Sequence, residues 1–285
     1  MGTVGIEQER DVRAGLIAIL LLMTGTGVAL SHAAEQGFVL LLPTDIYISA
    51  GVASVVLTIV LIAVLPAGTA EVIFASLPVL PRFPRLLRHA ISLLATLAVA
   101  FAVWRGFTGP RDPLNNPLPL VVWTFFWIGL VSLQGLIGNH WRYTNPWTGV
   151  AALLTKLTGS RAPFRYPRGL GHWPAVVIFI AFAAFLLADP APSDPSRLAA
   201  FAGLYWYAAL LGLVLFGPAW MVRAEAFTVM MRAYGRMGLF GSRGRRVGVG
   251  LWGWQVLRGT GPPMALAVFI LVLLGTGSFD GLNET

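Results

Sequence analysis

The sequence predicts an all-α, polytopic integral membrane protein of about seven transmembrane helices, N-terminus inside and C-terminus outside, with short helices in the interface. Three observations predict it. Of 285 residues, 56% are hydrophobic and 11% charged, and the mean hydropathy is +0.75, which excludes an ordinary soluble domain. Apolar runs recur near residues 14–31, 46–65, 90–104, 118–137, 173–188, 198–220 and 263–279, most of them close to the ~20 residues that cross ~30 Å of hydrocarbon. The basic residues gather between alternate runs: seven spans leave only Arg105, Arg111 and Arg197, of 20 Lys and Arg residues, on the outer side. Loops rich in Lys and Arg stay on the cytoplasmic side, so this asymmetry fixes the threading.

The stretch 139–173 anchors that orientation, because it carries Arg142, Lys156, Arg161, Arg165 and Arg168 and no acid. The chain reads as a single transmembrane helical domain, 1–285. Its first run, 14–31, follows Arg10 and Arg13 and serves either as a span or as a signal peptide cut after Ser31. Pro66 ends the second run, and Pro78, Pro81 and Pro84 punctuate a cytoplasmic segment with Arg82, Arg85 and Arg88. The proline-rich 109–117 is an outer loop.

Asn145-Pro146-Trp147 reads as a helix start, with Asn as N-cap and Pro at the first helical position, and Gly159 as the stop of a short interfacial helix. The segment 223–239 places Phe227, Met230, Met231, Tyr234 and Met237 on one side and Glu225, Thr228, Arg232 and Arg236 on the other. It is expected to lie in the headgroup plane. Gly241 to Gly248 reads as a mobile basic loop, and no internal repeat shows at the level of residue identity.

Composition narrows the chemistry. A formal charge of +8 and a pI near 10.8 suit threading rather than nucleic acid, and the absence of cysteine excludes disulfides and thiolate sites. None of the seven runs carries Asp, Glu, Lys, Arg or His, which argues against a charge-driven transporter. Gln134, Ser132, Thr124 and Thr58 are the polar residues inside the runs and read as interhelical hydrogen-bond partners. Tyr205, Trp206, Tyr207, Trp123 and Trp127 read as helix packing or an aromatic belt.

On the outer side acids dominate. His32 and Glu35 are the candidate metal ligands, for copper or zinc, with a cut after Ser31 adding an amino group beside the imidazole. Asp45 and Asp280 are the candidate ligand-binding residues. The competing reading is that these acids solvate helix ends. On the inner side His89, His140 and His172 each flank a span, either as a zinc or haem site or as ordinary interfacial anchors.

With His32-Ala-Ala-Glu35 before Phe38-Val-Leu-Leu-Leu-Pro-Thr44, then Asn145-Pro146-Trp147, Glu225-Ala226-Phe227 and Ser278-Phe279-Asp280-Gly281, the chain from about Ala29 onward resembles a family of bacterial multi-spanning membrane proteins, some labelled fenitrothion hydrolase. The resemblance implies an inner-membrane protein with organophosphate ester hydrolase activity. It also implies further helices after the Phe-Asp-Gly segment, so a C-terminal half missing from this chain is expected.

Three functional readings stand on the sequence. The first is a membrane component of a larger assembly, partnered by another membrane subunit, or an outward-facing ligand or metal site in the bacterial inner membrane. The second is a metal-dependent membrane hydrolase of organophosphate-type esters, with Asp45, Glu35 or Asp280 joining His32 around a divalent metal. The third is a transporter of neutral solutes or lipid.

Overall fold

A computed structural model describes residues 44–66, 68–81, 84–159, 162–243, 246–258 and 261–283. Its helices are α1 (Thr44–Val64), α2 (Thr69–Ile73), α3 (Arg85–Thr108), α4 (Pro117–Ile137), α5 (Trp141–Thr144), α6 (Thr148–Thr158), α7 (Trp173–Ala188), α8 (Pro195–Phe216), α9 (Pro218–Arg223), α10 (Ala226–Gly235), α11 (Trp254–Leu257) and α12 (Met264–Asn283). The six apolar runs within the described residues are all helical. The run at 14–31 lies outside them.

Three helices, α3, α4 and α8, are long and apolar enough to cross a membrane. The 24 residues of α3 reach about 36 Å at 1.5 Å per residue. In α1, α7 and α12 the apolar stretches are shorter, Ile48–Leu61, Trp173–Ala188 and Met264–Phe279. The expected run to 220 is broken at Gly217, where φ is +69°, and Pro218 opens a separate short helix. Within α4 the stretch Leu120–Leu130 is π-helical, the Val131 N–H reaching the carbonyls of Ile128 and Phe126.

Not everything is α-helical. Strands β1 (Leu77–Pro81), β2 (Phe240–Arg243) and β3 (Arg246–Val249) form an antiparallel sheet of order β1-β3-β2. The segment expected to be a mobile basic loop is thus a hairpin in register Phe240↔Val249, and two of the prolines expected only to punctuate, Pro78 and Pro81, lie in an edge strand, where a missing N–H is tolerated. Two tryptophans fasten the sheet. Trp254 Nε1 donates to the Leu239 carbonyl at 2.9 Å and Trp252 Nε1 to the Leu136 carbonyl at 3.0 Å, at the end of α4.

The core is aromatic. Phe182 meets Phe227 edge-on at 4.9 Å, Phe126 meets Phe227 at 4.9 Å, and Phe185 stacks on Phe201 at 4.2 Å. Segment 223–239 does not form a two-faced surface helix. Its helix α10 is buried along Phe227, Thr228, Val229, Met230 and Met231, because Gly235 lets it close on Asn139: a Cβ there would sit 2.8 Å from the Asn139 Cβ.

An architectural repeat also emerges that residue identity had not shown. Each unit is a helical hairpin, α3–α4 or α7–α8, whose second helix starts from a capping side chain followed by proline. Asn116 accepts from Leu118 N at 3.0 Å, and Asp194 accepts from Ser196 N and Arg197 N, each at 3.0 Å. Each second helix ends at a glycine of positive φ, Gly138 (+127°) or Gly217 (+69°), then turns through a short helix into a capped helix.

The caps correspond atom for atom. Asn145 Oδ1 accepts from the N–H groups two and three residues on, Trp147 at 3.4 Å and Thr148 at 3.1 Å; the Glu225 carboxylate does the same for Phe227 at 3.0 Å and Thr228 at 2.7 Å. The cap's own N–H returns to a tryptophan carbonyl, Asn145 to Trp141 at 2.9 Å and Glu225 to Trp220 at 3.0 Å. The shared pattern is Gly-x-x-Trp, then Asn-Pro-Trp-Thr or Glu-Ala-Phe-Thr. With two long helices per unit, both units run the same way, as in parallel repeats.

Candidate functional site

Where the two units meet, at the end of the bundle opposite the 109–116 and 189–194 loops, lies a cavity of about 920 Å³. The first unit contributes Arg88, His89, Asn139, Arg142 and the α6 face bearing Thr148 and Thr155. The second contributes Leu213, Val214, Val222, Thr228 and Arg232. Among the described residues no aspartate or glutamate lines it. Its size is that of a small-molecule site.

Packing explains how these side chains arrive there. Gly149 lets α6 sit against α3, since a Cβ at this position would be 2.7 Å from the His89 carbonyl. Ser92 Oγ stitches the contact, donating to the Asn145 carbonyl at 2.5 Å and accepting from Gly149 N at 2.8 Å. Across the seam Trp147 Nε1 donates to the Trp206 carbonyl and Trp206 Nε1 to the Pro146 carbonyl, each at 3.0 Å. Gln134, fully buried, donates to Asn139 Oδ1 at 2.9 Å and the Met231 carbonyl at 2.7 Å, and accepts from Trp141 N at 3.1 Å.

A buried polar chain underlies the cavity. Trp141 Nε1 donates to Thr228 Oγ1 at 3.0 Å, Thr228 is bonded to Glu225, and Glu225 accepts from the Tyr205 hydroxyl. Glu225 is 1% exposed. Burial pushes its carboxyl above the ordinary glutamate range, and hydrogen bonds from Thr228, Tyr205 and Phe227 oppose part of that rise.

Neither Arg88 nor Arg232 meets a carboxylate within ion-pair distance among the described residues; the pair that does form is Arg197 with Asp189, on the opposite end. Arg88 Nη2 donates to His89 Nε2 at 3.1 Å, while Arg88 Nε is buried without a hydrogen-bond partner among the described residues. Burial and then the charge of Arg236 lower the Arg232 pKa. Burial first, then Arg232, Arg223 and Arg236, lower that of His172. Burial also lowers His140, whose Nδ1 contacts the Gly138 carbonyl at 3.2 Å. Each shift is what a positive field or desolvation produces.

The residues singled out in the sequence fare unequally. His32 and Glu35 lie outside the described residues. Asp45 and Asp280 fall in the helical backbones of α1 and α12, and their side chains lie outside the described residues too. His89, His140 and His172 do not assemble a metal site: among the described residues no three His, Asp or Glu side chains group to hold an ion. Gln134 is the interhelical partner expected, and Thr58 bonds within its own helix, to the Ser54 carbonyl at 2.7 Å. Glu225 and Arg232, expected on the polar side of a surface helix, are instead a buried cap and a cavity wall. For Glu225 the signal is the repeated cap-x-aromatic-Thr pattern. Compared with known protein families, curated proteins and solved structures, the chain matches none.

Proposed function

We propose that this chain is a multi-pass protein of the bacterial inner membrane, threaded with its basic end toward the cytoplasm, and that it binds an anionic ligand in the cavity between its two helical units. One observation carries the reading: Arg88 and Arg232 line a single cavity that no carboxylate enters among the described residues. Half-buried guanidinium groups without acids beside them leave donors to satisfy, and an oxyanion supplies such a partner through charge-assisted hydrogen bonds. The threading rests on the distribution of Lys and Arg. Binding, rather than metal-dependent hydrolysis, is favoured because the described residues at this end hold donors and hydroxyls and no group of metal ligands.

The test uses the full chain in phosphatidylcholine nanodiscs and monobutyl phosphate as probe. Binding is expected to saturate and to weaken about tenfold or more in Arg232→Gln and in Arg88→Gln, the worth of one charge-assisted hydrogen bond, about 1.5–3 kcal/mol. Binding unchanged in both variants would place the anion elsewhere and end the proposal.

A further inference from the structure

We infer that the three-stranded sheet and α11 form a foot resting on the membrane surface, with Leu251, Trp252, Val256 and Leu257 pressed into the headgroup–acyl boundary and Arg243, Arg246 and Arg258 set against anionic lipid headgroups. This placement rests on the membrane-spanning reading proposed above and is independent of the anion cavity.

Sheet register shows which side is which. Residues paired across strands share a face, so Gly241 with Gly248, and Arg243 with Arg246, stand on one side of the sheet. That side is the one α11 covers. A Cβ on Gly248 would lie 3.1 Å from the Arg243 Cβ and 3.3 Å from Trp254 Cη2, and a Cβ on Gly241 would run into the Gln255 side chain. Trp254 and Gln255 fill the inner side of the segment and leave its apolar neighbours outward: Leu251 is 47% exposed, Trp252 and Val256 54% each, and Leu257 59%. Arg243, Arg246 and Arg258 are exposed as well. The α11 side of the sheet thus carries apolar side chains and cations together, the composition of an interfacial element.

The tethers hold this surface at the bilayer boundary. Trp252 Nε1 donates to the Leu136 carbonyl in the last turn of α4, and Leu136 and Ile137 are themselves exposed on that long apolar helix. The apolar strip therefore continues from the side of a span onto the foot. β1 stops at Pro81 and α3 begins at Arg85, a link that reaches at most about 14 Å. Tryptophan at such a junction is a headgroup-level anchor.

Charge selects the lipid. No Asp or Glu occurs between Glu225 and Asp280, an interval that holds Arg232, Arg236, Arg243, Arg245, Arg246 and Arg258. Among the described residues Arg243, Arg246 and Arg258 meet no carboxylate within ion-pair distance, and Arg258 lies over the Trp254 ring at 5.3 Å. An anionic leaflet attracts such residues by roughly fivefold each, and its diffuse field serves Lys as well as Arg. A protein partner pairing carboxylates with the guanidinium forks would tell the two apart.

The chain holds no cysteine, so Val256→Cys and, as a reference in the middle of α3, Leu97→Cys are each labelled with an environment-sensitive fluorophore in the full chain. The nanodiscs contain phosphatidylcholine with phosphatidylglycerol as the minor lipid, and quenching is read with spin-labelled phospholipid and with aqueous iodide. Lipid should quench both positions, and residue 256 at least about threefold more than iodide does. Arg243→Gln/Arg246→Gln/Arg258→Gln, or phosphatidylcholine alone, should raise iodide quenching at 256 by about threefold or more, with residue 97 in the same background still quenched by lipid. Arg243→Lys/Arg246→Lys/Arg258→Lys should stay within about twofold of the parent.

If lipid quenches residue 97 while iodide quenches residue 256 in every bilayer, the foot stands off the membrane and is overturned, and the membrane-spanning reading survives. If lipid fails to quench residue 97, both fall. Lysine variants as open to iodide as the glutamine ones would remove the anionic leaflet as the occupant. Quenching at 256 that ignores both phosphatidylglycerol and the arginines would overturn the assignment of these cations to lipid.

Discussion

Removing the Glu225 carboxylate should destabilise the fold far more than its position beside a polar stripe suggests. Glu225→Ala deletes the N-cap of α10, worth about 1 kcal/mol, and leaves the Tyr205 hydroxyl buried without its acceptor, at about 1–3 kcal/mol. With the Thr228 N–H also orphaned beneath the cavity, a loss of about 2–5 kcal/mol is expected. Glu225→Gln keeps one acceptor oxygen and carries no charge to desolvate. Because burial already raises the Glu225 pKa, the amide should stay within about 1 kcal/mol of the parent. The assay is reversible unfolding in mixed micelles of increasing dodecyl sulfate fraction, followed by circular dichroism. Tyr205→Phe in the Glu225→Ala background should recover at least about 1 kcal/mol, since it removes the orphaned hydroxyl. A Glu225→Ala variant within 0.5 kcal/mol of the parent, about the noise of such comparisons, or a glutamine variant as unstable as the alanine one, would refute the buried network.

Three further outcomes follow from the same geometry. His172 has a folded pKa lowered by burial and by Arg232, Arg223 and Arg236, so the unfolded chain binds the proton more readily and stability should fall as pH drops below about 6.5; a melting temperature that drops as much between pH 7.5 and 5.5 in His172→Gln as in the parent would contradict this. Gly149→Val should cost about 1–3 kcal/mol by forcing α6 off α3, against a negligible effect for Gly51→Val, which meets nothing within 4 Å, in the same unfolding titration. The chain holds no cysteine, so single-cysteine labelling is clean: Asp112→Cys should react with an impermeant maleimide in intact spheroplasts and Leu157→Cys only after permeabilisation, and the reverse would invert the threading.

What the sequence made legible was whatever depends on local composition. Gly159 stops α6 as expected, because a left-handed stop acts within one turn, while the helix begins at Thr148, two residues later than the expected first helical residue Pro146, with Asn145 still accepting from the Trp147 and Thr148 N–H groups. Runs of apolar residues located the long helices for the same reason. The sheet was not legible, since β1 and the β2–β3 hairpin are separated by more than 150 residues and pair only through tertiary closure. Nor was the burial of α10: its two faces look amphipathic, yet Gly235, Gly238 and the Glu225 cap allow both to be covered. The repeat hid behind substitutions that preserve function while changing identity, Asn145 for Glu225 and Trp147 for Phe227, each keeping an acceptor or an aromatic ring where the geometry needs one.

The arginines proposed to orient the chain and those that line the cavity overlap, and the two roles make different demands. Threading requires only that positive charge remain on one side, so Lys serves as well as Arg and position within a loop hardly matters. A cavity requires a particular fork at a particular place. Arg232 separates the roles best, because it sits on a helix packed into the core rather than in a loop, and burial there lowers its pKa. Arg232→Lys preserves the charge count and should leave membrane orientation intact, yet it replaces a planar five-donor group by a more strongly hydrated point charge. Monobutyl phosphate binding should weaken severalfold while maleimide accessibility at residue 157 stays the same. If lysine supports binding in full, the cavity supplies only diffuse positive potential, and the arginines there serve the threading alone.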